Sequence, residues 1–160
     1  EDFALVLAPH EIHEEHLRAI ESGIKRPSIR LSEYDEAKGL PEGTACIIID
    51  CFGLLSSVYR YGRWAYVGGG FGKSVHNTLE AAVYGIPVFF GPEIHKHREV
   101  RELVRRESGF ILHDRAELSQ LLQRFSSEEE CKALEARTRA YFREECGATA
   151  AILGDILPSE

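Results

Sequence analysis

A doubly wound α/β fold, with about six parallel strands and helices on both faces, is what this sequence predicts. Three observations lead there. Short, continuously apolar runs alternate with segments of helical period along most of the chain, and such runs are the mark of strands buried on both faces. The runs stop at glycine, proline or aspartate, the punctuation of strand-to-helix turns. The length, 160 residues, suits one domain with a full core.

Taken in order, residues 3–8 read as a buried strand and 11–22 as a helix closed by Gly23. Residues 28–31 are a short strand; 33–43, polar with two glycines and a proline, are a loop. Residues 45–49 are a strongly apolar strand ending at Asp50, and 54–61 a short helix ending near Gly62. Residues 64–67 are a strand that stops at three glycines, and 74–84 a helix stopped by Gly85. Residues 87–90 are a strand ended by Gly91-Pro92, 94–107 a helix and 109–112 a last strand. The tail is helical. Leu118, Leu121, Leu122 and Phe125 share one face, and Ser126 to Glu129 has the spacing of a capping box. Cys131, Leu134, Thr138 and Tyr141 keep the helical period, and residues 148–157 form a final helix; if it packs back across a domain boundary, Ile152 and Ile156 are partly exposed in this chain alone.

Composition narrows the function. A net charge of -7, from 26 acidic and 19 basic residues, excludes bulk attraction to nucleic acid or anionic lipid. No apolar run approaches the roughly 20 residues of a membrane-spanning helix, and no secretory signal pattern is present. Cys46, Cys51, Cys131 and Cys146 form no C-x-x-C pair, and are expected to be reduced thiols of a cytosolic domain. The chain has no methionine and is read as part of a longer polypeptide.

The chemistry is concentrated between Gly68 and Glu80. Gly68-Gly69-Gly70-Phe71-Gly72 follows a strand and precedes a helix. Glycines let the backbone approach a ligand closely, and the free N–H groups of a helix start favour phosphate. Ser74 is the expected N-cap, with the charge of Lys73 beside it. Val75, Leu79, Ala82, Val83 and Ile86 would form the buried face, with His76, Asn77 and Glu80 converging on the mouth of the loop. Such a carboxylate suits ribose hydroxyls, and an amide beside it can donate and accept. Neither stock nucleotide motif fits. In a G-x-G-x-x-G reading from Gly68 and Gly70 the third glycine falls on Lys73; in a P-loop reading the first glycine falls on Val67.

With these residues in this order, the sequence resembles the Kdo (3-deoxy-octulosonate) transferases of lipopolysaccharide synthesis. The resemblance is carried by Ala65 to Phe71, by His76-Asn77-Thr78-Leu79-Glu80, and by the apolar strand ending in Gly91-Pro92. It is carried also by Leu7-Ala8-Pro9-His10-Glu11 and by the Asp-x-x-Gly-x-Leu element from Asp50 to Leu55. The Phe71-Gly72-Lys73 variant is similar to Bacteroidetes versions. The resemblance implies a GT-B glycosyltransferase, and residues 1–160 as its C-terminal donor-nucleotide-binding domain. Asn77 and Glu80 would then meet the ribose and phosphate region, and Gly69, Gly70 and the helix start would cradle the phosphate. Pro9 and His10 would line the nucleotide pocket, with Asp50 and Gly53 at its floor. The donor would be CMP-Kdo and the acceptor a lipid A precursor held by an N-terminal domain that also carries the catalytic carboxylate. No catalytic residue, cofactor or metal is expected in this chain. Membrane association, at the cytoplasmic face of the inner membrane, would come through the full-length protein. Competing readings are a GT-B transferase of UDP- or GDP-sugars, a stand-alone nucleotide-binding module, and a Mg²⁺-dependent NTPase.

The remaining polar clusters read as surface. His10, His13 and His16 do not make an H-E-x-x-H site. His95 and Lys96 follow Gly91-Pro92, either against the donor sugar or at the start of a solvated helix. Arg98, Arg101, Arg105 and Arg106 alternate with Glu99, Glu102 and Glu107 as an exposed, salt-laced face. One departure from the family generates a prediction. Where many members have arginine after Ala-Pro, this chain has His10, which lacks a permanent bidentate charge. If Lys73 compensates, Lys73→Ala weakens CMP binding about tenfold, the worth of one charge-assisted hydrogen bond; unchanged affinity in a calorimetric titration refutes the compensation.

Overall fold

The computed structural model describes residues 4–72 and 74–156. The chain divides into two compact units, Glu1–Val58 and Tyr59–Glu160. All six expected strands form, as two three-stranded parallel sheets. The α/β class and parallel pairing are as the apolar runs predicted.

The first unit contains β1 (Leu5–Leu7), α1 (Glu14–Gly23), β2 (Ser28–Arg30), β3 (Cys46–Ile48) and α2 (Leu55–Val58). β3 is central, with Cys46 level with both Leu5 and Ser28. Its Cys46 and Ile48 are buried with Leu17 of α1, and Leu7, Ile20 and Ile24 pack around them. The expected burial of residues 3–8 does not hold for those described: Leu5 and Val6 are 38% and 44% exposed, because β1 is an edge strand with β3 as its one described neighbour. α1 starts at Glu14 rather than at residue 11. His13 takes the N-cap, its Nδ1 accepting from the His16 N–H at 3.2 Å. Arg30 then ties β2 to this helix. Its guanidinium donates to Glu21 at 2.7 and 2.9 Å and to Glu14 at 2.6 and 3.3 Å, while Arg18 donates to Glu14 at 2.6 Å. The Arg30 bond, then that of Arg18, lowers the Glu14 pKa to about 2. A depressed carboxylate of this kind stabilises the fold above the ordinary carboxylate range, and that contribution is lost as pH falls toward 2.

The second unit contains β4 (Ala65–Tyr66), α3 (Leu79–Ala82), β5 (Val88–Phe90), α4 (Arg98–Arg105), β6 (Gly109–Ile111), α5 (Arg115–Arg124), α6 (Glu128–Glu145) and α7 (Ala148–Ile156). β5 lies between β4 and β6. Its three residues are wholly buried, and alternation sends them into two different cores. Val88 and Phe90 join Ala81, Ala82, Val100, Leu103 and Tyr141. Phe89 joins Leu112, Phe125 and Leu134, with ring centroids of Trp64, Phe110 and Phe125 at 6.1–6.3 Å from its own. Helices therefore cover both faces of this sheet, as its unbroken apolar strand requires.

Several boundaries shift. α4 begins at Arg98 instead of residue 94, because His97 N–H bonds the Ile94 carbonyl at 3.0 Å and closes a separate turn first. The capping box of α6 lies one residue later than its pattern suggested: Ser127 Oγ accepts from the Glu130 N–H at 3.4 Å, and the Ser126 hydroxyl donates instead to Gln123 O. In α4 the charges do more than lace an exposed face. Arg106 and Arg98 reach Glu144 and Glu145 of α6 at 2.6 and 3.5 Å, and the Arg106 guanidinium lies 5.2 Å from the Tyr141 ring centre. In α7, Ile152 and Ile156 are exposed, as expected.

Phe89 is the residue on which the second core converges. Phe89→Ala removes a fully buried aromatic ring, and is expected to lower unfolding free energy by about 3–5 kcal/mol in urea denaturation.

Candidate functional site

The glycine loop leaves β4 at the carboxyl end of the second sheet. Val67 still bonds β5, its N–H on Phe89 O at 2.8 Å, and the loop begins one residue later. Gly69, Gly70 and Gly72 have φ of 82°, 76° and 91°, a region in which only glycine is free of strain. The loop is fixed from two sides. His76 N–H donates to Gly68 O at 3.0 Å, and Glu93 N–H donates to Gly70 O at 2.9 Å. At the second contact two glycine backbones touch. A Cβ on Gly70 would lie 2.8 Å from the Gly91 carbonyl, and one on Gly91 would lie 2.5 Å from the Gly70 carbonyl carbon. A Cβ on Gly69 would lie 2.4 Å from Ser74 O.

The segment after the loop differs from the expected helix. Residues 74–78 are not helical, and α3 spans only Leu79–Ala82 with Thr78 as its N-cap residue. Ser74 is therefore not an N-cap. Two local bonds delay the helix: His76 N–H is held by the loop, and Asn77 Oδ1 accepts from the Leu79 N–H at 3.1 Å, the kind of side-chain bond that competes with helix. The buried face shifts accordingly. Thr78, Ala81, Ala82 and Gly85 are buried at helical spacing, whereas Val83, expected inside, is 55% exposed.

The expected polar group is partly assembled by this other route. Asn77 Nδ2 donates to Glu80 Oε1 at 2.9 Å, so amide and carboxylate orient each other. The Glu80 charge is also felt by Tyr59, whose phenol is pushed up by burial and then by that carboxylate. His76 turns to the loop: its Cδ2 would lie 3.1 Å from a Cβ on Gly69. Lys73 lies outside the described residues. One residue was missed by the sequence reading. His97 Nε2 lies 2.5 Å from Ser74 Oγ, and its Nδ1 lies 3.1 Å from Glu99 Oε1. The available signal was its place in the turn after β5, at the same carboxyl edge as the loop.

In the first unit, Pro9 and Asp50 each stand two residues beyond paired strand ends, Leu7 and Ile48. They occupy the carboxyl edge of that sheet, where doubly wound folds bind ligands. His10 follows, exposed. Gly53 has φ 88° and open space around its Cβ position. Asp50 has a local task that sequence did not reveal. Its carboxylate accepts from the Ser32 N–H at 3.0 Å and from the Ser32 hydroxyl at 2.5 Å. Burial opposes its ionisation, but these bonds outweigh it and hold the carboxyl below the usual range.

A depression of about 480 Å³ lies elsewhere. It is lined by Arg63, Gly85, Pro87, Cys131, Lys132 and Glu135, at the amino ends of β4 and β5. It lies at the opposite end of the strands from the glycine loop. Among the described residues no group of three His, Cys, Asp or Glu side chains could hold a metal ion.

A parallel sheet covered on both faces, with a glycine loop at its carboxyl edge, is a doubly wound α/β architecture, and two solved structures share its fold. The C-terminal CMP-Kdo binding domain of WaaA from Acinetobacter baumannii matches with a TM-score of 0.73 at 20% identity, over 86% of this chain and 72% of that one. The spinosyn forosaminyltransferase SpnP matches at 0.53 and 17% identity, over 96% of this chain and 43% of that one. By sequence the chain belongs with the 3-deoxy-D-manno-octulosonic acid transferases. The one from Aquifex aeolicus (strain VF5) is 32% identical over 134 residues, or 82% of this chain and 36% of the relative. The one from Chlamydia muridarum is 26% identical over 153 residues, or 91% and 33%. The chain thus spans about a third of the length of these curated relatives. No family model matches it.

The contact of Gly70 with Gly91 generates a prediction. Gly91→Ala forces the two loops apart and is expected to weaken nucleotide binding at least tenfold while leaving far-UV circular dichroism unchanged; wild-type affinity would show that the contact does not shape the site.

Proposed function

We propose that this chain is the donor-binding domain of a glycosyltransferase that moves Kdo from CMP-Kdo to a lipid A precursor in lipopolysaccharide biosynthesis. The observation that carries the reading is the glycine backbone at the carboxyl edge of a doubly covered sheet, in a chain whose relatives are Kdo transferases. Backbone N–H groups unobstructed by side chains suit a phosphate. The Asn77–Glu80 pair beside them offers a fixed carboxylate for ribose hydroxyls.

In the reaction, an acceptor hydroxyl attacks the anomeric carbon, the glycosidic C–O bond to phosphate breaks, and CMP leaves with the bonding electrons. The part played by this chain is to hold the nucleotide and stabilise the charge growing on the departing phosphate. The acceptor and the general base belong to an N-terminal domain, which would also bring the protein to the cytoplasmic face of the inner membrane. Among the described residues no helix is long and apolar enough to cross a membrane. Pro9, His10, Asp50 and Gly53 complete the donor site in this reading, which treats residues 1–160 as one functional domain. The residues used in this reading do not require a metal ion.

Calorimetric titration with CMP, CDP, UMP and ATP, with and without Mg²⁺, tests the reading. Metal-independent, CMP-selective binding is expected, weakened tenfold or more in Glu80→Ala, the cost of a hydrogen bond to a charged group. ATP binding that requires Mg²⁺, or no binding of any cytidine nucleotide, would overturn it.

A further inference from the structure

The His97 imidazole is held at both nitrogens, and donor arithmetic limits the states it can take. Nδ1 lies on the Glu99 carboxylate, which accepts only, so Nδ1 carries a hydrogen. Nε2 lies on the Ser74 hydroxyl, which has one hydrogen and two lone pairs. If the ring is neutral, Nε2 is bare and Ser74 gives it its only hydrogen. The serine then offers nothing but lone pairs to its surroundings. If the ring is protonated, Nε2–H donates to Ser74, the serine hydrogen is freed to point elsewhere, and the site gains a positive charge. An anion discriminates between these states, being repelled by the lone pairs of the first and bound by the hydroxyl and cation of the second.

The position gives that difference a use. Gly69 packs against the Ser74 backbone, and Glu93, in the same turn region as His97, is bonded to Gly70. Ser74 and His97 therefore join the two segments that fix the glycine loop. The ring and the Glu99 side chain are 30% and 39% exposed, open enough to exchange protons with solvent. Glu99 is the bonded charge on its own helix. Tyr141 and Glu145 of α6 lie on the Glu99 side, with Arg98 paired to Glu145, and the Arg101 guanidinium binds the His95 carbonyl. From the loop comes Ser74, itself uncharged, with Lys73 next to it in sequence. Histidine is the side chain whose charge changes near neutral pH.

We propose that Ser74, His97 and Glu99 form a proton-coupled anion switch: a phosphate-bearing ligand at the glycine loop takes up a proton from solvent onto His97 Nε2 and receives the hydroxyl hydrogen of Ser74. No covalent bond forms or breaks, and the proton returns to solvent when the ligand leaves. The switch rests on the donor-binding reading and adds a cation on His97, beyond the charge of Lys73 next to Ser74 in sequence, when phosphate arrives. The same three side-chain types can also activate a serine nucleophile, but Ser74 is followed by non-helical backbone rather than by the helix of a nucleophile elbow.

The test is calorimetric titration of CMP at pH 8, where its phosphate is a dianion, in two buffers of different ionisation enthalpy, using the longest polypeptide the gene encodes. Net uptake approaching one proton per CMP is expected, with affinity falling up to tenfold per pH unit above neutrality. In His97→Gln the uptake disappears, the pH dependence flattens, and binding at pH 7 weakens about tenfold. Ring ¹⁵N shifts of His97 in the unmutated protein read the same protonation directly, whether or not the variant folds. CMP binding without proton uptake, or with equal uptake in His97→Gln, overturns the switch and leaves the donor-binding reading intact. Failure of CMP to bind the unmutated protein removes both.

Discussion

Much of the second unit depends on one close approach, that of the Gly70 and Gly91 backbones. The two glycines lie in the loops after neighbouring parallel strands, and each occupies the volume a side chain on the other would need. The approach lets Gly70 O accept from the Glu93 N–H, so the loops after β4 and β5 form one rigid edge. It also fixes the start of the turn that carries His97. A functional loop of glycine is costly in conformational entropy, and here hydrogen bonds to neighbouring segments offset part of that cost.

That edge is only as firm as the sheet beneath it. β5 is buried on both faces, with Val88 and Phe90 in one core and Phe89 in the other. The first core places α3 and α4; the second places α5 and α6. Ion pairs and the Tyr141 ring then bind α4 to α6. The position of Glu99, the second residue of α4, is thus set by the packing of that helix against the sheet and α6. Exposed pairs of this sort contribute little individually, so the apolar contacts of Val100 and Leu103 carry most of the energy.

The first unit uses polar groups for the corresponding task. Arg30 clamps β2 to α1 through two carboxylates, and Asp50 joins the end of β3 to the turn after β2 through Ser32. A carboxylate already receiving two hydrogen bonds is better suited to holding a turn than to seeking a ligand. The structural task of Asp50 is therefore to hold that turn.

Sequence alone determined the class of the fold. Alternating apolar runs and helical periods depend only on which residues must leave water, and that is a local property of composition and spacing. The three-glycine stop, the Asn77-x-x-Glu80 spacing and the helical tail were legible for the same reason. Tertiary structure decided the rest. The stretch from Ser74 to Thr78 has a helical pattern, but its first N–H groups are taken by the loop and by Asn77, so the helix starts late and Val83 turns outward. The strands from β1 to β6 divide into two sheets because pairing is a long-range choice that periodicity does not encode. His97 stood 23 residues from Ser74, and only folding brought an imidazole between a hydroxyl and a carboxylate; no spacing rule reports a contact made across two strand ends.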